Sequence, residues 1–400
     1  MNLKKTIYFD YAATTYTDRR VVHAMKPYFS HIFGNAGSLH QFGRKAKLAL
    51  EKARQQVADL IGAATDEIIF TGSGTESDNL AILGAAKAYK QKGQHLITSN
   101  IEHKAVLNPM KKLSQEGFEV DFLKVDYEGL LAVDQIQQAI NNKTTLVSVI
   151  YASNEIGVIQ PIAEIGKMIK EIRAKRKENA IDVPLIFHID ACQAAGYLSL
   201  DVNNLGVDLL TLNGSKIYGP KGVGVLYVRK GIMLEPIILG GDQEGGVRPG
   251  TENIPGTVGL GIALDIAQKI RQEESNREKS LRDYFIRRLI DEIPGVVLNG
   301  HATKRLPNNI NISVLGIEGE AMLLWLDKYG IAASTGSACD SRHLEPSHVI
   351  LALGKSHEYA HGSLRLTLGR KTTKREIDYF MNVFPKIVRQ LRKISTIKHE

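Results

Sequence analysis

Apolar residues recur along this chain at two spacings, and stretches of the two kinds alternate. From Arg44 to Leu60 they fall every three or four positions, the spacing of a helix with one buried face, and Gly62 marks its end. Glu67–Phe70 is a short strand. Further helices are predicted over Glu76–Lys92, stopped by Gly93, over Lys104–Glu116 and over Ile162–Lys177. Further strands are predicted over His95–Thr98, Thr145–Tyr151, Leu185–Ile189, Asp208–Leu212 and Val223–Val228. Strands that are apolar throughout, with helices between them, predict a mostly parallel sheet covered on both faces. A long charged helix, Val258–Ile290, then leaves this layer. Beyond it the pattern reads strand, helix, strand, helix, punctuated by Pro294, Gly295, Gly300 and Pro307, a smaller α+β domain. No internal repeat or low-complexity segment interrupts the chain.

Composition narrows this picture. The chain has 400 residues, which fits two or three units at roughly 150 residues each. A content of 43% hydrophobic and 24% charged residues excludes disordered, collagen-like and coiled-coil classes. No apolar run approaches the ~20 residues of a membrane helix, and Asp10 arrives before a signal peptide could form. Cys192 and Cys339 are too few for a disulfide framework, so a cytoplasmic protein is expected. The net charge of +8 is scattered, with clusters at Lys175, Arg176 and Lys177 and in the tail from Arg389. These read as solvated helix faces, and direct nucleic-acid binding is not expected.

The candidate chemistry lies where the predicted strands end. Thr71, Gly72, Ser73, Gly74 and Thr75 join a strand to a helix; small residues and free helix N–H groups suit a phosphate. His103, Asn154, Asp190 with Gln193, and Lys216 each follow a different strand. Open α/β sheets bind ligands along this rim. The set suits pyridoxal 5'-phosphate, which needs a lysine for its aldehyde and a carboxylate against its ring nitrogen. Lys216 would hold the aldehyde and Asp190 the nitrogen. His103 could stack on the ring and move protons, Gln193 could donate to the ring oxygen, and Asn154 could contact cofactor or substrate.

Ten ordered stretches give this reading a family. They are IYFDYAATT from Ile7, FGNAGSLHQFGR from Phe33, FTGSGTESDNLAI from Phe70, EHKAVL from Glu102, SNEIGVIQP from Ser153, FHIDACQAAG from Phe187, SKIYGPKGVGVLYVR from Ser215, RPGTEN from Arg248, STGSACDSRHLEPSHV from Ser334 and GSLRLTLGR from Gly362. Over nearly its whole length the chain resembles the cysteine desulfurases, of the class V aminotransferase group of fold-type I pyridoxal-phosphate enzymes. The resemblance implies a large cofactor-binding domain, residues 15–258, with a mostly parallel seven-stranded sheet. It implies a small domain made of residues 1–14 and 259–400. It assigns the phosphate to Gly74 and Thr75 with help from Asn213–Ser215, and to Thr251 acting on a partner subunit, so a homodimer is implied. Arg365 would bind the substrate carboxylate. Cys339, in a polar glycine-containing loop, would attack the sulfur of L-cysteine as a thiolate, keep it as a persulfide and release L-alanine. The loop resembles that of members with a mobile cysteine arm, which hand sulfur to an acceptor protein of iron–sulfur assembly or tRNA thiolation. Cys192 reads as a residue of the interior.

The chain departs from the family pattern in two places. Ser215 stands where a His is usual and Asn213 where a Ser or Thr is usual; both can still donate hydrogen bonds. Asp242 and Gly245 stand where Gly and Arg are commoner, and Asp242 is expected to point away from the phosphate. Three other readings stay open on the same residues: a selenocysteine lyase, an aminotransferase, and a sulfur-trafficking platform whose main task is binding.

Overall fold

The computed structural model describes residues 6–335 and 346–394. The elements follow the predicted alternation, with boundaries that shift by a few residues. Seven strands form the main sheet: β2 (Ile68–Thr71), β3 (His95–Ser99), β4 (Glu119–Leu123), β5 (Thr144–Ile150), β6 (Ile186–Asp190), β7 (Leu209–Asn213) and β8 (Gly224–Val228), with β1 (Ile7–Tyr8) lying outside it. Their order is β2-β8-β7-β6-β5-β3-β4. Strand β8 runs antiparallel to both neighbours and every other pairing is parallel. Strand β4 and the helix Val133–Ala139 were not predicted: neither is continuously apolar, and β4 is half-buried at the sheet edge. The helix expected to reach Lys92 is Gly74–Ala88; residues 89–93 form a turn closed by the Gly93 N–H on the Tyr89 carbonyl.

Both sheet faces are covered, and side chains alternate between them. On β6, Ile186 joins the core beneath the helix Gly74–Ala88 with Leu80, Ala81 and Ala85. Phe187 and Ile189 join the opposite core with Val57, Ile169 and Leu264. A strand's period of two then sets His188 and Asp190 on the Ile186 face. By the same count Ser148 on β5 and Thr211 on β7 share that face with Leu146 and Leu209. A polar stripe therefore runs under one helix at the carboxyl edge of the sheet.

A second core lies beyond the first. The 39-residue helix Ile254–Glu292 contributes Leu260, Leu264 and Ala267 to the first core and Phe285 and Leu289 to the second. There Phe9, Phe285 and Phe380 form a cluster with ring centroids 5.0–5.9 Å apart. This core backs an antiparallel sheet of β9 (Val296–Leu298), β10 (Asn309–Val314) and β12 (Ser363–Thr367), order β12-β10-β9. The predicted strand–helix–strand–helix was too sparse. A short β11 (Ile331–Ala332) pairs with β1, and the helices His348–Ala352 and His357–His361 precede β12. Two- and five-residue elements carry too little periodicity to read.

Residues 153–159, which follow β5, are pinned to this second sheet. The Asn309 and Asn311 amides both donate to the Glu155 carbonyl at 3.1 Å, and Arg305 donates to the Ile156 carbonyl at 2.6 Å. Gly157 sits in the left-handed region, φ +74°, and a Cβ there would stand 2.6 Å from the Asn309 side chain. Gly157→Ala is expected to destabilise the protein by about 1–3 kcal/mol, through both strain and overlap. Chemical denaturation measures it; an unchanged midpoint would mean that the loop moves freely from Asn309.

Candidate functional site

The carboxyl ends of β2, β3, β5, β6 and β7 converge on a cavity of about 320 Å³. Gly74, Thr75, His103, Asn154, Asp190, Gln193, Asn213, Lys216 and Arg365 all line it. Gly74 and Thr75 open a helix that Ser73 caps by accepting from the Glu76 N–H at 3.1 Å. Their own N–H groups belong to the first turn, which has no intrahelical acceptors. The Cys192 sulfur would lie 2.7 Å from a Cβ on Gly74, so only glycine lets this helix start so close to β6.

Lys216 lies in a single turn, Gly214–Lys216, directly after β7. Its amine donates to the Ala12 carbonyl at 2.9 Å and to the Ala13 carbonyl at 2.5 Å. Gln193 shares the Ala12 carbonyl at 2.9 Å. Asn213 accepts through Oδ1 from both the Ser215 N–H, 2.9 Å, and the Ser215 hydroxyl, 3.0 Å. A backbone N–H only donates, so this end of the amide must be the oxygen. The Asn213 amine end therefore faces Gly74, 3.3 Å from the place of a Cβ. Ser215 itself does not line the cavity: its hydroxyl is spent on Asn213. Thr251 is exposed and does not line it either. Asp242 is exposed beside a different cavity. Cys339 lies outside the described residues.

His103 caps the helix Lys104–Gln115, its Nδ1 accepting from the Ala105 N–H at 3.1 Å. The neutral ring therefore carries its proton on Nε2. Burial lowers the His103 pKa; Asp190 opposes this, while Lys216, Lys104 and Arg365 add to it. Asp190 accepts from the Cys192 N–H at 2.9 Å. Burial, reinforced by Asp190 and Asp78, pushes the Cys192 thiol well above its usual range, which makes it inert beside the cavity. Arg365 on β12 donates to the Asn154 carbonyl at 3.0 Å and to Asp10 at 2.9 Å, and its buried Nε has no partner among the described residues.

The sequence pattern of the class-V aminotransferases matches residues 7–380. The chain is 48% identical to a cysteine desulfurase IscS of Dictyoglomus turgidum over 100% of its own length and 98% of that protein. The chain belongs to the class-V aminotransferase family. Within this family it stands with the cysteine desulfurases: it is also 47% identical to cysteine desulfurase IscS 1 of Archaeoglobus fulgidus over 98% of the chain and 99% of that protein. Among solved structures, a NifS-like protein superposes with a TM-score of 0.88 at 35% identity, covering 96% of this chain and all of that one. A structure described as SspA in complex with cysteine gives 0.78 at 36%, covering 91% and 99%. No helix among the described residues is long and apolar enough to cross a membrane.

Several groups around this family site carried no role in the sequence reading. Asp10 stands in a quoted motif, yet its partner Arg365 is 355 positions away. Asp78 lines the cavity from the helix Gly74–Ala88. Glu102, fully buried beside His103, accepts from the Ser99 hydroxyl at 2.5 Å and the Ile150 N–H at 2.9 Å. Glu155, beside Asn154, accepts from the Ser347 hydroxyl at 2.5 Å. His348 donates to the Glu102 carbonyl at 3.1 Å. Adjacency to His103 and Asn154 was the one signal available for the two glutamates.

Burial pushes Glu102 up to about 8 and Glu155 up to about 7. A buried acid with a raised pKa contributes its stability below the unfolded value, near 4.5, and loses it as pH rises through the folded value. Glu102→Gln removes one such titration. The melting temperature of the variant minus that of the wild type should therefore rise steadily from pH 5 to pH 9. A difference independent of pH would show that Glu102 is ionised when folded.

Proposed function

We propose that this chain uses pyridoxal 5'-phosphate to convert L-cysteine to L-alanine and carries the sulfur as a persulfide on Cys339. The observation that carries the proposal is one cavity holding a lysine amine, an aspartate, an imidazole, a helix N-terminus and a guanidinium. The residues present fit the cofactor. The helix start at Gly74–Thr75 and the Asn213 amine end gather phosphate donors at one end of the cavity. Asp190 supplies a carboxylate and Lys216 an amine, the two groups that this cofactor requires. When bound, it supplies an electron sink for negative charge developing beside the substrate amine.

The chain's own residues do the rest. Gly74, Thr75 and Asn213 would hold the phosphate, with Ser215 fixing the Asn213 amide. Asp190 would face the ring nitrogen and Gln193 the ring oxygen. Lys216 would hold the aldehyde, and its amine and His103 Nε2 would be the groups that move protons. Arg365 takes the substrate carboxylate, with Asn154 and Asp10 fixing its guanidinium from two sides. Cys339 takes the sulfur as a thiolate.

A homodimer belongs to the same reading. Thr251 is exposed, and the segment that bears it is held by two ion pairs, Arg248 to Glu76 at 2.6 Å and Arg54 to Glu244 at 2.7 Å. Phe33 and Phe42, with ring centroids 5.4 Å apart, are 65% and 51% exposed, an apolar pair that a second copy would cover. The small domain, residues 1–14 and 259–400, carries Cys339 and would present it to an acceptor protein of iron–sulfur assembly or tRNA thiolation in the cytoplasm.

The purified protein should show a cofactor band near ~420 nm and release alanine and sulfide together from L-cysteine with a reductant. Cys339→Ser should keep the band and lower alanine release by at least ~10²-fold. Full alanine release from Cys339→Ser without added thiol would overturn the role of Cys339. Keto-acid dependence would turn the reading toward an aminotransferase.

A further inference from the structure

The second sheet has two unlike faces. Strands β10 and β12 pair with Asn309 opposite Thr367, Asn311 opposite Arg365 and Ser313 opposite Ser363. Residues directly opposite each other in an antiparallel pair point to the same face. The intervening Ile310, Ile312, Leu364 and Leu366 belong to the second core. The other face is therefore polar throughout, yet none of its six residues is more than 4% exposed. It is covered by the segments that reach the cavity. Asn309 and Asn311 donate to the Glu155 carbonyl, and Arg365 to the Asn154 carbonyl and Asp10. The Thr367 hydroxyl accepts from the Ala12 N–H at 2.9 Å.

The direction of every bond to the Asn311 side chain follows from two backbone carbonyls, which only accept. The Ser313 hydroxyl donates to the Tyr359 carbonyl at 2.7 Å, so its oxygen is left to accept. Asn299, fully buried after β9, meets that oxygen with its amine at 2.9 Å. The same amine donates to Asn311 Oδ1 at 2.8 Å. The Asn311 amine is thereby turned to the Glu155 carbonyl, 3.1 Å away. Four links run from the helix His357–His361 to the residue after Asn154. Asn309 reaches the same carbonyl, but its buried Oδ1 has no partner among the described residues, so of the two only Asn311 is held at both ends.

Arg365 depends on this chain. Its Nη1 rests on the Asn154 carbonyl at 3.0 Å and its Nη2 on Asp10 at 2.9 Å. A shift of the peptide at 154–155 would let the guanidinium turn about its Asp10 contact. A planar fork recognises a carboxylate only while its plane is held.

We propose that Asn311 is a positioning residue for the substrate: oriented by Asn299 and Ser313, it holds the Asn154 carbonyl against Arg365 and so sets the angle at which the guanidinium meets the substrate carboxylate. The proposal rests on the reading of Arg365 as the carboxylate site. Asn311 does not line the cavity and acts only through Arg365.

Calorimetric binding of L-alanine to the holoenzyme, set beside L-alaninamide, which lacks the carboxylate, tests this. Asn311→Ser keeps a polar group that is too short to reach Glu155. It should weaken L-alanine by at least about 10-fold and L-alaninamide by no more than about 2-fold. In an Arg365→Lys background the same change should weaken L-alanine by less than about 2-fold, because the fork it serves is gone. Ser313→Ala removes the first link with little change in volume. It should weaken L-alanine by about 3-fold and serves if Asn311→Ser does not fold. Equal losses for the two ligands, or no loss of L-alanine, would overturn the proposal, as would a full further loss in the Arg365→Lys background. A wild-type protein that binds the two ligands alike would instead overturn the carboxylate role of Arg365. Hydrogen exchange at the Ile156 and Gly157 amides, faster in Asn311→Ser or unchanged, would then still decide whether Asn311 holds the loop.

Discussion

Parallel strands end on the same side of a sheet, and this site depends on that constraint. Five strand ends deliver His103, Asn154, Asp190, Lys216 and the Gly74 helix start to one cavity. Nothing in the local sequence around any one of them requires the others. The antiparallel β8 stays compatible because it runs from the Lys216 turn back along the sheet, filling the place between β7 and β2. The sheet's alternation adds a second level. It turns Ser148, His188, Asp190 and Thr211 to one face, under the helix that opens at Gly74 beside the cavity. The polar groups of the floor are therefore placed by strand parity and not by loops.

Charge in the cavity is managed by burial. Three cationic or potentially cationic groups, Lys216, Arg365 and His103, face a small set of acids. Arg365 is met by Asp10 and a carbonyl, and His103 is kept toward its neutral form. Glu102 and Glu155 lie under the walls with raised pKa values, each accepting from a hydroxyl, while Glu102 Oε2 has no partner among the described residues. Burial favours the neutral form of both glutamates, which adds no charge to the walls of the site.

The second core is tied to this chemistry at several points. Arg365 comes from β12, the Asn154 loop is held by Asn309, Asn311 and Arg305, and segment 10–13 receives Lys216 and Gln193. Tyr218, two residues past Lys216 and at φ +62°, accepts from the Arg370 N–H at 2.8 Å with that guanidinium 4.0 Å above its ring. Strain in the Lys216 turn is thus held from the second core.

The sequence alone determined the alternating α/β architecture, the small-residue turn at Gly74, and the set of polar residues at the strand ends. Period and composition suffice for these, because helix and strand spacing are local properties and Lys216, Asp190 and His103 are scarce chemistries at strand ends. Short elements such as β11 and the edge strand β4 escaped, because too few residues carry a period. Tertiary structure alone decided the pairs that span hundreds of residues: Asp10 with Arg365, Ser347 with Glu155, Arg54 with Glu244. It also turned the Ser215 hydroxyl onto Asn213 and brought Asp78 beside Asp190. Such pairings depend on which faces meet in three dimensions, and the burial that shifts Glu102, Glu155 and Asp78 exists only once the helices have closed over the sheet.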